Sequence, residues 1–186
     1  MLELANLVSD FFQVIIDEQI EIYNEFSLQH ELGIYLRKRI PEYKVQFERN
    51  VSYFSNENNT IKKEIDISIF SRDMREKYAI ELKYPVNGQY PEQMYSFVKD
   101  IKFMEELVER GFTQNCCVAL VSSRPFYKGI NEEGIYRYFR IEHSVYGEVF
   151  KPTGADKNKE SIMIFGKYDF KWQNLDEKRK YYIIEI

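Results

Sequence analysis

With 186 residues, 44% of them hydrophobic and 16% aromatic, the chain has material for a buried core of single-domain size, which excludes the disordered and fibrous classes. Twenty-six Lys and Arg stand against thirty Asp and Glu, a formal charge of -4, so nucleic acid cannot be held by bulk charge alone. The charge is uneven: residues 1–36 carry seven acids and no Lys or Arg, the first basic residue being Arg37. A polyanion would therefore approach the later part of the chain.

Residues 1–26 place Leu4, Leu7, Val8, Phe11, Ile15, Tyr23 and Phe26 near a 3.6-residue repeat with acids between them, which predicts one or two acidic amphipathic helices. Ser27 is suited to cap a following helix, whose apolar stripe is Leu28, Leu32, Tyr35 and Leu36 and whose last turn holds Arg37, Lys38 and Arg39 before Pro41. Residues 43–54 read as a strand, 56–60 as a polar turn, and 63–70 as an alternating strand with Ile65, Ile67 and Ile69 on one face. After the charged turn 71–76, Tyr78, Ile80 and Leu82 alternate with Ala79, Glu81 and Lys83, so the two runs form a hairpin.

Pro91 suits the first turn of a helix whose apolar face is Met94, Val98, Ile101, Met104 and Val108, with Gly111 placed to end it. Residues 116–121 form a continuous apolar run, as in a strand buried on both faces. Alternation sends the neighbouring Cys116 and Cys117 to opposite faces, so no structural disulfide is expected, and a reducing compartment is favoured. In the remainder a short helix is expected over 134–140 within otherwise irregular chain, then strands over 161–172 and 180–186 joined by a polar turn at 173–178. No stretch approaches the ~20 apolar residues that span a bilayer, and the basic opening of a signal peptide is missing. The expectation is a cytoplasmic protein of one domain, without membrane contact.

The hairpin carries the chemistry. With its turn centred between Asp73 and Met74, Asp66 lies opposite Glu81 and Glu64 opposite Lys83. Like charges at directly opposed positions repel, so a positive group must sit between Asp66 and Glu81. Lys83 contributes, but a divalent cation with oxygen ligands and retained waters suits two convergent carboxylates better. Glu31 lies at the edge of its helix's apolar stripe and needs a partner of its own. The plainer alternative for Asp66, Glu81 and Lys83 is a solvated sheet face with a cross-strand ion pair.

In the run Glu64-Ile65-Asp66-Ile67, in Glu81-Leu82-Lys83, and in the order helix, strand, strand, strand, helix, strand, the chain resembles the PD-(D/E)XK nuclease superfamily over residues 27–123. The resemblance implies an α/β, restriction-endonuclease-like core with a central mixed β-sheet flanked by helices. The acidic N-terminal helices (1–26) and a C-terminal β extension (124–186) would be added to that core. It implies Asp66, Glu81 and Glu31 as ligands of Mg²⁺, with Mn²⁺ able to substitute, Lys83 as the catalytic lysine, and nucleic acid, DNA before RNA, as substrate. Gln93 resembles a glutamine that some members place in the next helix.

Ile65 stands where the family name has proline, and an acid two residues before a lysine occurs five times in the chain. Of these, only Glu81-Leu82-Lys83 lies in an alternating strand beside a second acidic strand. One site per chain suits a homodimer for cutting both strands, and the acidic N-terminal helices suit dimerisation or contact with a protein partner. The rival function is a non-catalytic nuclease-fold subunit that binds or scaffolds within a defence or repair complex. His30 and His143, the two histidines, are too few for a histidine-based nuclease or a zinc site.

Overall fold

The structure, a computed structural model, describes residues 2–56 and 59–186. Its elements in chain order are α1 (Leu4–Asp17), α2 (Glu25–Arg39), β1 (Lys44–Asn50), β2 (Glu64–Phe70), β3 (Lys77–Lys83), α3 (Tyr90–Glu109) and β4 (Gln114–Val121). These are followed by α4 (Ile135–Arg140), β5 (Ser144–Phe150), β6 (Ser161–Asp169), β7 (Gln173–Asn174) and β8 (Lys180–Glu185). The fold is mixed α/β, with a central six-stranded sheet ordered β1-β2-β3-β4-β8-β7. β1, β2 and β3 run antiparallel, β4 is parallel to β3, and β8 closes antiparallel on β4.

Helices cover both faces. Leu4, Phe11, Leu28 and Leu36 of α1 and α2 pack on Ile67, Ile80 and Val118 on one side. On the other side Phe97, Ile101 and Met104 of α3, with Phe139 of α4 and Ile164 of β6, pack on Ala79 and Ala119. β4 is buried on both faces, as its apolar run predicts, and places Cys116 in one cluster and Cys117 in the other, both thiols free. Among the described residues no helix is long and apolar enough to cross a membrane.

Several expectations change. α1 is one helix, with Leu4, Val8, Phe11, Phe12 and Ile15 buried and Phe12 stacked on Tyr181 of β8, ring centroids 3.9 Å apart. Its apolar face is therefore taken up within the chain, and only its polar side is left for a partner. Tyr23 and Phe26 are 63% and 70% exposed, outside that apolar face. Ser27 is not the cap of α2. Asn24 is, accepting from the Ser27 N–H at 2.7 Å while Ser27 Oγ accepts from the Asn24 N–H at 3.1 Å. This reciprocal capping box starts the helix at Glu25.

β1 stops at Asn50, whose side chain accepts from the Ser52 N–H and turns the chain into a 3₁₀ turn over Val51–Tyr53. The turn expected at 56–60 includes residues 57 and 58, which lie outside the described residues. In α3, Val108 is 44% exposed and Leu107 is buried in its place. β6 does not pair with β8: it pairs with β5, a strand not expected from the sequence, in a separate two-stranded sheet. β8 completes the main sheet, with β7 on its far side.

Candidate active site

The expected hairpin register holds from Phe70↔Lys77 to Ile67↔Ile80 and then ends. Beyond that point β2 and β3 splay, and side chains replace the ladder. The Asp66 N–H donates to Glu81 Oε1 at 3.1 Å, and the Leu82 N–H donates to Asp66 Oδ2 at 2.7 Å. The β1–β2 register likewise skips the Glu48–Asp66 position, where Glu48 takes a left-handed φ of 48°. The Ile65–Ile67–Ile69 face breaks at the same place: Ile67 and Ile69 pack toward α1 and α2, whereas Ile65 joins the α3 cluster. The expected opposition of Glu64 and Lys83 lies beyond the end of the β2–β3 ladder, and Glu64 is paired on its other side with Asn50 of β1.

At this break the structure brings Asp66, Glu81 and Lys83 together, draws in Lys62 from the basic pair that flanks β2, and adds Glu25, Gln29 and Asp100, which the sequence did not single out. Lys62, from the irregular chain before β2, ion-pairs with Glu81 and reaches Asp100 Oδ1 at 2.9 Å. Asp100, on α3, gives its second oxygen, Oδ2, to Lys83 Nζ at 3.3 Å. Glu25, the first residue of α2, lies 3.7 Å from Lys83 Nζ through Oε1 and accepts from the Tyr84 N–H at 3.0 Å through Oε2. Gln29, one turn further along α2, donates to the Glu48 carboxylate and to the Asp66 carbonyl. Glu25, Phe26, Gln29, Glu48, Asp66 and Leu82 line a cleft of about 290 Å³.

Glu31 is not part of this site. It lines a different groove with Phe11, Ile20, Lys38 and Arg39, between α1 and α2. Glu25 and Gln29 share one helix face at i, i+4, and Glu31, two residues beyond Gln29, points to the opposite side. The acid that the preceding helix contributes is Glu25. Arg37, Lys38 and Arg39 sit at the far end of α2, about 20 Å along the axis from Glu25, whereas Lys62, in the basic pair Lys62-Lys63 before β2, enters the site. Among the described residues the site's ion pairs on α3 are made by Asp100, two turns after Gln93.

The electrostatics are those of an under-neutralised acidic centre. Five carboxylates, Glu25, Glu48, Asp66, Glu81 and Asp100, gather around two ammonium groups, Lys62 and Lys83. Burial pushes the Asp66 carboxyl up to about 6, against the pull of Lys62 and Lys83. Burial opposes the Lys83 ammonium, but Asp100, Glu25 and Asp66 outweigh it and raise its pKa above the ordinary lysine value. Under the site Cys117, the β4 partner of Glu81, has its thiol pushed well up by burial, which makes it chemically inert.

Among the described residues no group of three or more His, Cys, Asp or Glu side chains is arranged to hold a metal ion by itself. The chemistry of the donors nonetheless suits a hard divalent cation, which takes carboxylate and water oxygens. No family model matches the chain, and comparison with curated proteins and with solved structures finds no match.

Proposed function

We propose that this protein is a metal-dependent nuclease with a restriction-endonuclease-like core, hydrolysing phosphodiester bonds, with DNA as the leading substrate. The observation that carries the reading is the meeting of Asp66, Glu81 and Lys83 where β2 and β3 splay, beside an open cleft. Asp66 and Glu81 are the residues that would hold Mg²⁺ or Mn²⁺. Bound there, the ion lowers the pKa of water and neutralises phosphate charge.

The chain's own residues supply the rest. The Lys83 ammonium, kept charged by Asp100 and Glu25, stabilises negative charge growing on the phosphate. Asp100 positions that lysine, and Gln29 fixes the Asp66 backbone by donating to its carbonyl at 2.8 Å. Phe26, 70% exposed at the cleft, leaves an apolar surface at the rim for a substrate base.

The test is cleavage of supercoiled plasmid, linear duplex, single-stranded DNA and RNA with Mg²⁺ or Mn²⁺, comparing the wild type with Lys83→Ala and Glu81→Gln. Metal-dependent cleavage lost in both variants supports the nuclease. Cleavage that survives both substitutions overturns it.

A second reading, a nuclease-fold subunit that binds without cutting, is favoured by one observation: Lys62 already neutralises Glu81 from within the chain. It predicts no thermal stabilisation by Mn²⁺, whereas the nuclease predicts a clear gain.

A further inference from the structure

We infer that Lys62 is a built-in counter-cation that occupies Glu81 in the metal-free protein and must be exchanged for the divalent ion before the site is competent. This inference rests on the metal-dependent reading above. Glu81 is a charge the fold cannot leave unpaired: its side chain is 0% exposed, and a buried unpaired carboxylate is strongly destabilising. Lys62 meets that need without metal. The same carboxylate is also one of the two that would hold the ion, so lysine and ion compete for one group.

Three features make Lys62 the partner that leaves. Its side chain is 27% exposed, against 0% for Glu81 and 5% for Asp100, so it has a route to water. It comes from irregular chain rather than from a strand or helix, while Asp66, Glu81 and Lys83 are fixed in β2 and β3. That chain is tied down behind it by the Ile61 N–H donating to Glu106 Oε2 at 2.8 Å, so the backbone can stay while the long side chain swings. Asp100 then has a definite task. With one oxygen on Lys62 at 2.9 Å and the other toward Lys83 at 3.3 Å, it keeps the released ammonium at the edge of the site, where a substrate phosphate would meet it. Lys62 is in this account a positioning residue that gates metal entry.

The experiment measures Mn²⁺ affinity by calorimetry for the wild type, Lys62→Gln and Lys83→Gln. It also measures the acetylation rate of each lysine in the wild type by mass spectrometry, with and without Mn²⁺. Both substitutions remove one positive charge, but only Lys62 touches Glu81. Competition therefore predicts a gain of about tenfold in affinity for Lys62→Gln, the scale of one charged hydrogen bond, and a much smaller gain for Lys83→Gln.

In the wild type, Mn²⁺ should speed acetylation of Lys62 and leave Lys83 slow, a readout that needs no variant to fold. Wild-type Mn²⁺ binding with equal affinities in the two variants and no change at Lys62 overturns this inference and leaves the metal site standing. If neither the wild type nor Lys62→Gln binds Mn²⁺, the metal-dependent reading falls and this inference falls with it.

Discussion

The Asp66 backbone N–H donates to the Glu81 carboxylate across the gap where their strands separate, at 3.1 Å. Glu81 therefore has two duties, satisfying a backbone donor that the sheet no longer pairs and presenting a charge to the site. The two are separable by substitution. Glu81→Gln keeps an oxygen for the Asp66 N–H and should fold, while cleavage falls by at least about a hundredfold. Glu81→Ala also strands the buried donor and frees Lys62 from its partner, costing about 3 kcal/mol of stability. Single-turnover cleavage and urea unfolding on the same preparations check both statements.

Asp66 makes stability depend on pH in a definite direction. Its carboxyl is raised from an ordinary 3.8 to about 6 by burial, so between those values the folded chain binds a proton that the unfolded chain has released. The contribution of Asp66 is therefore fully present below about pH 4 and is lost as pH rises through about 6, a change on the order of 3 kcal/mol. Urea midpoints of the metal-free protein from pH 4 to 7 should show this fall, and Asp66→Asn should flatten it. Mn²⁺ needs the ionised carboxylate and should bind more weakly below pH 6.

The two acids of α2 should behave oppositely. Glu25→Gln weakens the hold on Lys83 and should lower the cleavage rate by about tenfold, the scale of one weak charged contact. Glu31→Gln, in its separate groove, should leave the rate within about twofold. Equal effects of the two substitutions would overturn the assignment of Glu25 as the helix acid.

Glu105 holds the two halves of the α3 face together. Its Oε1 accepts from the Phe165 and Gly166 N–H groups at 2.9 and 2.7 Å and from the Tyr168 hydroxyl at 3.2 Å. Glu105→Ala removes the acceptor for all three donors and should cost about 2–4 kcal/mol. Faster amide exchange should appear first at Phe165 and Gly166 in β6.

Gly33 lets α2 approach β1. A Cβ built there would lie 2.1 Å from the Phe47 ring, so Gly33→Ala forces the ring or the helix to move and should destabilise by about 1–3 kcal/mol. Phe47→Leu in the same chain should recover part of that loss, as measured by thermal melting.

The sequence alone determined most of the local architecture, and for local reasons. Alternation in 63–70 and 77–83 set the strands and their register from Phe70↔Lys77 to Ile67↔Ile80, because a one-residue slip would turn Ile67 and Ile69 away from α1 and α2. The apolar period from Met94 to Met104, opened by Pro91 and closed by Gly111, set α3, although its last buried position is Leu107 rather than the expected Val108. The continuous run at 116–121 declared a strand covered on both sides. Asp66, Glu81 and Lys83 were legible because one hairpin brings them together.

Tertiary structure decided what depends on chain segments far apart. Glu25 rather than Glu31 faces the site because packing of Leu28, Leu32 and Leu36 on the sheet turns the Glu25–Gln29 face toward β2 and β3, while the Asn24–Ser27 capping box that brings Glu25 into the helix is a local signal of the sequence. Asp100 carried a signal too, a charged residue within the buried face of α3 beside Phe97, Ile101 and Met104. Lys62 carried a coarse one, as half of the basic pair Lys62-Lys63 flanking the acidic strand, but its contacts with Glu81 and Asp100, 19 and 38 residues away, follow from where the chain before β2 settles against α3. The pairing of β6 with β5 rather than β8 is of the same kind. An alternating pattern specifies which face of a strand is buried, but the partner edge is chosen by the packing of the whole chain.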